Sequence, residues 1–141
     1  MAPLESRLEA HKQRETRAAE LLADARDEAK EKRKYNSGMT RQKISEEFRH
    51  RCNNLEPYPW QLNVAEALLL GLDCSVIAAT GSGKTMPFVM PLFAQPEKQV
   101  LIISPLNALE EDQVRLLYSP SVYVSRASHR HDVSLVWGCL Q

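Results

Sequence analysis

The sequence has no net charge, no long apolar run and no signal segment. Its 141 residues carry 18 Lys+Arg and 18 Asp+Glu, so the formal net charge is zero. This balance argues against binding of nucleic acid through bulk positive charge, although it allows a local basic surface. No apolar run approaches the roughly 18–20 residues of a membrane-spanning helix, and charged residues occupy the place of an apolar leader. We expect an intracellular chain with no membrane partner and room for one ordinary domain.

Paired cysteines are also missing. Cys52, Cys74 and Cys139 are odd in number and far apart, and none belongs to a closely spaced pair. A disulfide framework or a zinc site would need closer, paired spacing. We therefore predict buried or incidental thiols.

Charge is concentrated at the start of the chain. Residues 1–34 carry nine basic and eight acidic side chains, and they contain no Gly and one Pro, Pro3. Ala, Glu, Lys, Arg and Leu dominate this segment and favour a helix, which pairs such as Glu28 with Lys32 support. Its apolar stripe is thin and shows no sustained heptad, so a coiled coil is weakly supported. We predict a charged, solvated helix and linker over residues 1–38.

The basic cluster of residues 30–34 allows two interpretations. It is either the solvated end of that helix, where the dipole favours cations, or a patch for nuclear import or phosphate contact.

The rest of the chain alternates between helical and strand patterns. Short apolar runs next to turn residues are typical of buried parallel strands, and their alternation with helices predicts an α/β fold with a parallel sheet. Thr40 is the predicted cap of the first of these helices, Gly71 is the predicted C-cap of the next, and Pro91 should kink or shorten the helix after the glycine-rich turn. The predicted segments are helix 40–52, helix 60–70, strand 74–79, strand 100–103 and helix 106–118.

The glycine-rich turn carries the strongest functional signal. It reads Ala78-Ala79-Thr80-Gly81-Ser82-Gly83-Lys84-Thr85 and lies between a predicted strand and a predicted helix. Gly81 and Gly83 allow backbone N–H groups to approach phosphate oxygens, and the helix N-terminus that follows favours anions. Lys84 offers a charge to the β- and γ-phosphates, and the hydroxyl of Thr85 is a candidate ligand for Mg²⁺. The predicted cofactors are ATP and Mg²⁺.

Several further motifs accompany the phosphate loop in a definite order. They are Gln61, Gly71-Leu72-Asp73-Cys74, the loop residues from Ala79 to Thr85, Pro91-Leu92 and Ile103-Ser104-Pro105-Leu106-Asn107-Ala108-Leu109-Glu110-Glu111-Asp112-Gln113. Together they resemble the opening of a superfamily 2 helicase, and their order is most similar to the RecQ type of ATP-dependent DNA helicase. The phosphate loop opens with Ala78 in place of the usual Gly, a small-residue form seen in helicases. The resemblance covers residues 48–116, about half of the chain.

The resemblance implies a partial RecA-like, P-loop NTPase domain over residues 39–118, with a nuclear location, a role in DNA repair and 3′–5′ unwinding. Gln61 would read adenine with its amide, and Tyr58 or Trp60 would stack on or flank the base. Ser104 and Asn107 lie where the family's next motif contacts the DNA backbone. The implied partners are ATP and DNA, as a single strand or a duplex junction.

Hydrolysis requires a carboxylate pair after a second apolar strand, to hold Mg²⁺ and orient the attacking water. No Asp-Glu pair follows an apolar strand after Lys84, and the second RecA-like domain is also missing. We therefore predict a truncated helicase that binds ATP without hydrolysing it or unwinding DNA alone, with an atypical, poorly ordered tail over residues 119–141. Two alternatives are a small P-loop nucleotide kinase and a non-catalytic interaction protein with a vestigial nucleotide site.

Overall fold

The computed structural model describes residues 4–79, 81–98, 100–104 and 122–126, which form four helices and two short strands. Three of the helices, α2, α3 and α4, pack together, and α1 lies against α3. The elements are α1 (Leu4–Arg33), α2 (Ser37–Arg51), α3 (Pro59–Leu69), α4 (Met86–Ala94), β1 (Val100–Ser104) and β2 (Val122–Arg126).

The first helix, α1, is exposed along its N-terminal half and packed along its C-terminal half. Side chains from Glu5 to Leu21 face solvent almost without exception, whereas Leu22 and Ala29 are buried. The expected i,i+4 pair is present, with 2.5 Å between Lys32 Nζ and Glu28 Oε1. The prediction of a long charged helix is confirmed for Leu4–Arg33.

The second helix, α2, begins earlier than the sequence predicted. The side-chain oxygen of Asn36 accepts a hydrogen bond from the amide of Met39 at 3.0 Å, so Asn36 is the N-cap. Thr40, the predicted cap, lies inside the helix, where its hydroxyl donates to the carbonyl of Asn36 at 2.9 Å. The prediction of a Thr40 cap is wrong because Asn36 offers an equally good capping side chain four residues earlier.

The third helix, α3, matches its prediction to within one residue at each end. Pro59 stands in its first turn, where the missing N–H costs no hydrogen bond. At its other end the amides of Gly71 and Leu72 donate to the carbonyls of Leu68 and Ala67, at 3.0 and 2.9 Å. Gly71 adopts a φ of 85°, which only glycine adopts freely, and so closes the helix as expected.

The core lies between α2, α3 and α4, where nearly every side chain of α4 is partly or fully buried. Pro91 removes one hydrogen bond inside this helix, which continues for three residues beyond it and is nine residues long. Because α4 follows the phosphate loop directly, the core also fixes one end of that loop. The buried cluster consists of Ile44, Phe48, Ala65, Val89, Met90, Leu92, Phe93 and Val100.

The predicted fold class is wrong for the part of the chain that the structure describes. That part is mainly helical and holds no RecA-like sheet flanked by helices. Residues 74–79, expected to form a strand before the phosphate loop, form no helix or strand, and Ile77 is 95% exposed. Among the described residues, the β-structure is one short parallel pairing between β1 and β2. A strand needs hydrogen bonds to a neighbouring strand, and the described residues supply no such pairing to residues 74–79. The predicted helix 106–118 lies outside the described residues.

Candidate nucleotide-binding site

The phosphate loop turns sharply between residues 72–77, which form no helix or strand, and α4. Gly81 and Gly83 have φ values of 80° and 72°, in the left-handed region that a Cβ disfavours. The hydroxyl of Ser82 donates to the carbonyl of Ala79 at 2.7 Å, which closes the turn. Both glycines thus adopt backbone conformations that explain why the motif needs them. Thr80 lies outside the described residues.

The side chain of Lys84 folds back onto the start of the phosphate loop. Its ammonium group donates to the carbonyls of Ala78 and Ala79, at 3.0 and 2.7 Å. These carbonyls are available because residues 74–79 belong to no ladder. A carbonyl is a neutral acceptor, so an anionic phosphate would compete effectively for the same ammonium group.

Gln61 joins α3 to the phosphate loop. Its side chain is buried, and its Oε1 accepts a hydrogen bond from the amide of Tyr58 at 2.9 Å. Its Nε2 donates to the carbonyl of Gly83 at 3.0 Å. The contact is close, because a Cβ on Gly83 would lie 2.7 Å from Nε2 of Gln61. Gln61 therefore lies at the loop, as its predicted role requires, with both ends of its amide bound to backbone.

The two predicted base-flanking aromatics adjoin Gln61 in sequence and differ in exposure. Tyr58 is the N-cap residue of α3 and is 59% exposed, whereas Trp60 is half-buried in the first turn. An exposed tyrosine beside a buried glutamine offers a ring face to a planar ligand.

The N-terminus of α4 suits a magnesium-bound polyphosphate. Thr85 is the N-cap residue and its hydroxyl makes no capping bond. The amides of Lys84 and Thr85 donate to no oxygen of the described residues. Free amides at a helix N-terminus accommodate anions, and a hydroxyl oxygen is a ligand type that Mg²⁺ accepts alongside phosphate oxygens and water. The residues present therefore fit ATP and Mg²⁺.

Of the two predicted nucleic-acid contacts, Ser104 lies among the described residues. Ser104 is the last residue of β1, as expected for a group at a strand's C-terminal end. Asn107 lies outside the described residues.

Sequence reasoning missed a buried carboxylate next to this site. Glu66 on α3 has a fully buried side chain that binds two arginines, Arg26 of α1 at 2.5 Å and Arg41 of α2 at 2.8 Å. Ser37 and Tyr35 donate their hydroxyls to the other carboxylate oxygen. These five residues are called the Glu66 cluster below. The one signal in the sequence was that Glu66 is the single charged residue of α3.

Contacts within the Glu66 cluster shift the pKa values of Glu66, Arg26 and Tyr35. Burial raises the pKa of Glu66, but hydrogen bonds from Arg26, Ser37 and Arg41 together outweigh burial and hold the pKa below its usual value. The hydrogen bond to Glu66 likewise raises the pKa of Arg26. Burial, aided by the neighbouring carboxylate, raises the pKa of Tyr35 to about 12, so its hydroxyl remains a donor. The cluster is therefore ionic at neutral pH.

The two cysteines in the described part of the chain show no sign of reactivity. Cys52 and Cys74 are half-buried and unpaired, and burial raises the pKa of both. Among the described residues, no group of His, Cys, Asp and Glu could hold a metal ion, and no helix in those ranges is long and apolar enough to cross a membrane.

Comparison with known proteins identifies the family. Residues 58–131, just over half of the chain, match the DEAD/DEAH box helicase family. The chain therefore belongs to that family, and the matched residues include Gln61 and the whole phosphate loop.

The relatives confirm the predicted resemblance to the RecQ type. The ATP-dependent DNA helicase RecQ of Synechocystis is 45% identical over 60 residues, which cover 43% of this chain and 12% of that protein. The RecQ-like DNA helicase BLM of Xenopus laevis is 37% identical over 68 residues, which cover 46% of this chain and 5% of that protein. The ATP-dependent helicase SGS1 of Saccharomyces cerevisiae is 35% identical over 75 residues, which cover 51% of this chain and 5% of that protein. The match thus spans a small fraction of each relative, and no solved structure matches the chain.

Proposed function

We propose that this chain supplies an ATP-binding and nucleic-acid-binding part of an ATP-dependent 3′–5′ DNA helicase of the RecQ type, with the nuclear location that the resemblance implies. The observation that carries the proposal is the meeting of three motif elements at one loop. The backbone of Gly83 is in the left-handed region, and the ammonium group of Lys84 binds a carbonyl at the start of the loop. Gln61 binds the same loop from α3. Membership of a helicase family supports the assignment of these elements to a nucleotide.

Each residue has a proposed task in this site. The amides of Lys84 and Thr85 bind phosphate oxygens, the ammonium of Lys84 moves from its carbonyl partners to the phosphates, and the hydroxyl of Thr85 ligates Mg²⁺. Gln61 exchanges its hydrogen bonds to the backbone of Tyr58 and Gly83 for the adenine edge, and Tyr58 covers the ring. Thr80, Gly81 and Ser82 complete the loop, and Ser104 and Asn107 bind the DNA backbone. ATP supplies the free energy of phosphoryl transfer when a complete helicase binds it.

Catalysis by this chain alone is not part of the proposal. The sequence after Lys84 contains no Asp-Glu pair that follows an apolar strand. Without such a pair, the attacking water has no carboxylate to orient it. We therefore propose binding without hydrolysis or unwinding.

Titration with Mg²⁺-ATP tests the nucleotide site. Lys84→Ala is expected to weaken ATP binding by at least about tenfold, because it removes the loop's point charge to the phosphates. Calorimetry on the 141-residue chain measures both affinities. Lys12→Ala, at an exposed position on α1, is the control and should leave the affinity unchanged.

Equal ATP affinities for wild type and Lys84→Ala would contradict the assignment of the phosphate loop. Binding of no nucleotide by the wild type would favour an interaction protein. DNA-stimulated release of phosphate by the wild type would contradict the non-catalytic part of the proposal.

A further inference from the structure

One helix carries both the contact to the phosphate loop and the Glu66 cluster. Gln61 and Glu66 are five residues apart on α3, about 7.5 Å along its axis at 1.5 Å per residue. The first binds the carbonyl of Gly83, and the second binds arginines of α1 and α2. Any force that moves α3 as a unit therefore moves Gln61 relative to the loop.

The partners of Glu66 come from outside the segment that matches the helicase family. They lie between Arg26 and Arg41, whereas the family match begins at residue 58. The Glu66 carboxylate thus joins the N-terminal helices to the family segment through ion pairs.

Arg41 fixes the rotation of α3 as well as its position. One nitrogen of its guanidinium donates to Asn63 Oδ1 at 2.9 Å and to Glu66 Oε2 at 2.8 Å. These acceptors are three residues apart, which is close to one helical turn. A rotation of α3 that turned Gln61 away from the phosphate loop would have to break this two-point contact.

Arg26 is the second anchor of Glu66 and comes from α1. One terminal nitrogen of its guanidinium lies 2.5 Å from Glu66 Oε2, and its Nε is buried without a hydrogen-bond partner among the described residues. An unsatisfied donor of this kind reduces what the ion pair contributes. Arg26 contacts α3 at Glu66, whereas Arg41 also binds Asn63, so Arg41 is the anchor that opposes rotation of α3.

We propose that Glu66 is a positioning residue for the nucleotide site. Held by Arg41 and Arg26, it fixes α3 so that Gln61 reaches the phosphate loop, which makes the N-terminal helices part of adenine recognition. The adenine half of this statement rests on the proposed function. The positioning half concerns the protein without nucleotide, and it can be measured separately.

The experiment compares Glu66→Gln and Arg41→Gln with Arg49→Gln in the full chain. Arg49 is a matched control, because it lies on the same helix as Arg41 and makes an exposed ion pair with Glu56. We expect the first two variants to reduce the preference for ATP over GTP by at least about fivefold, which corresponds to the loss of one specific hydrogen bond. Their affinity for GTP should change by less than about twofold. Arg49→Gln should keep the wild-type preference.

Hydrogen exchange of the nucleotide-free protein provides the second readout. Amides of residues 81–86 should exchange faster in Glu66→Gln and Arg41→Gln than in wild type and Arg49→Gln. Unchanged exchange, or a parallel loss of ATP and GTP affinity, would overturn the positioning role. A wild type that does not prefer ATP would overturn the adenine half and contradict the proposed role of Gln61, whereas faster exchange in the two variants would still support positioning of α3.

Discussion

Glu66→Ala is expected to lower the free energy of unfolding by about 3 kcal/mol, because it leaves two arginines without their carboxylate. The Glu66 side chain is fully buried, so the variant also creates a small cavity. The arginine side chains are 32% and 25% exposed. Water can therefore solvate them in part, which keeps the cost near the lower end for a broken buried pair. Urea unfolding followed by circular dichroism measures the change.

The control for this substitution is Glu28→Ala. Glu28 is also a glutamate paired with a cation, but its pair with Lys32 is solvent-exposed along α1. Exposed pairs contribute little to stability, so this variant should unfold at the wild-type urea concentration. Equal shifts for the two variants would mean that the Glu66 cluster does not hold the helices together.

Lowering the pH should reproduce part of the loss of stability that Glu66→Ala causes. The folded pKa of Glu66 is lowered below its usual value of 4.5, so the unfolded chain takes up a proton at higher pH than the folded one. The contribution of the carboxylate is therefore complete above the unfolded pKa and is lost as the pH falls through the folded pKa. The stability difference between wild type and Glu66→Ala should narrow over that range, as urea unfolding at a series of pH values would measure.

Local signals explain what the sequence predicted well. The bounds of α3 depend on Pro59 at its start and Gly71 after its end, and both act through backbone geometry within one turn. The phosphate loop is similar, since the left-handed conformations of Gly81 and Gly83 are properties of the residues themselves. Motif order then assigned Gln61 to the site, although it did not reveal the hydrogen bond from Gln61 to Gly83.

Features that depend on distant partners were not predictable. The apolar pattern of residues 74–79 is typical of a buried strand, but a strand forms only where another backbone lies alongside it. The burial of Glu66 depends on Arg26 and Arg41, which are 40 and 25 residues away. In sequence, each of these arginines is one of many charged residues on a polar helix. Neither composition nor spacing indicates which of them turns inward.

The second large effect on stability is expected from Gly83→Ala, for two separate reasons: the backbone conformation of Gly83 and the space next to it. Its backbone has a φ of 72°, and its Cβ would lie 2.7 Å from Gln61 Nε2. The backbone alone costs about 1–2 kcal/mol for a residue with a side chain. Displacing Gln61 adds about 1–3 kcal/mol, because the carbonyl of Gly83 and the amide of Tyr58 lose their partner. We therefore expect Gly83→Ala to lower the free energy of unfolding of the nucleotide-free protein by about 2–5 kcal/mol.

Gly81→Ala separates the two effects. Gly81 has a φ of 80°, but no atom lies within 4 Å of a Cβ built on it. This variant should therefore show the backbone cost alone, about 1–2 kcal/mol. Because both measurements use protein without nucleotide, neither depends on how a phosphate would meet the new methyl group.

A double-mutant cycle with Gln61→Ala then tests the contact itself. Shortening Gln61 removes the atom that the new Cβ would meet, and it also removes the hydrogen bonds that Gly83→Ala would break. In the Gln61→Ala background, Gly83→Ala should cost about as little as Gly81→Ala does, which corresponds to an interaction energy of about 1–3 kcal/mol. If Gly83→Ala costs the same with and without the Gln61 side chain, Gln61 does not contact the phosphate loop in solution. The Glu66 cluster could then not position the nucleotide site through α3 and Gln61.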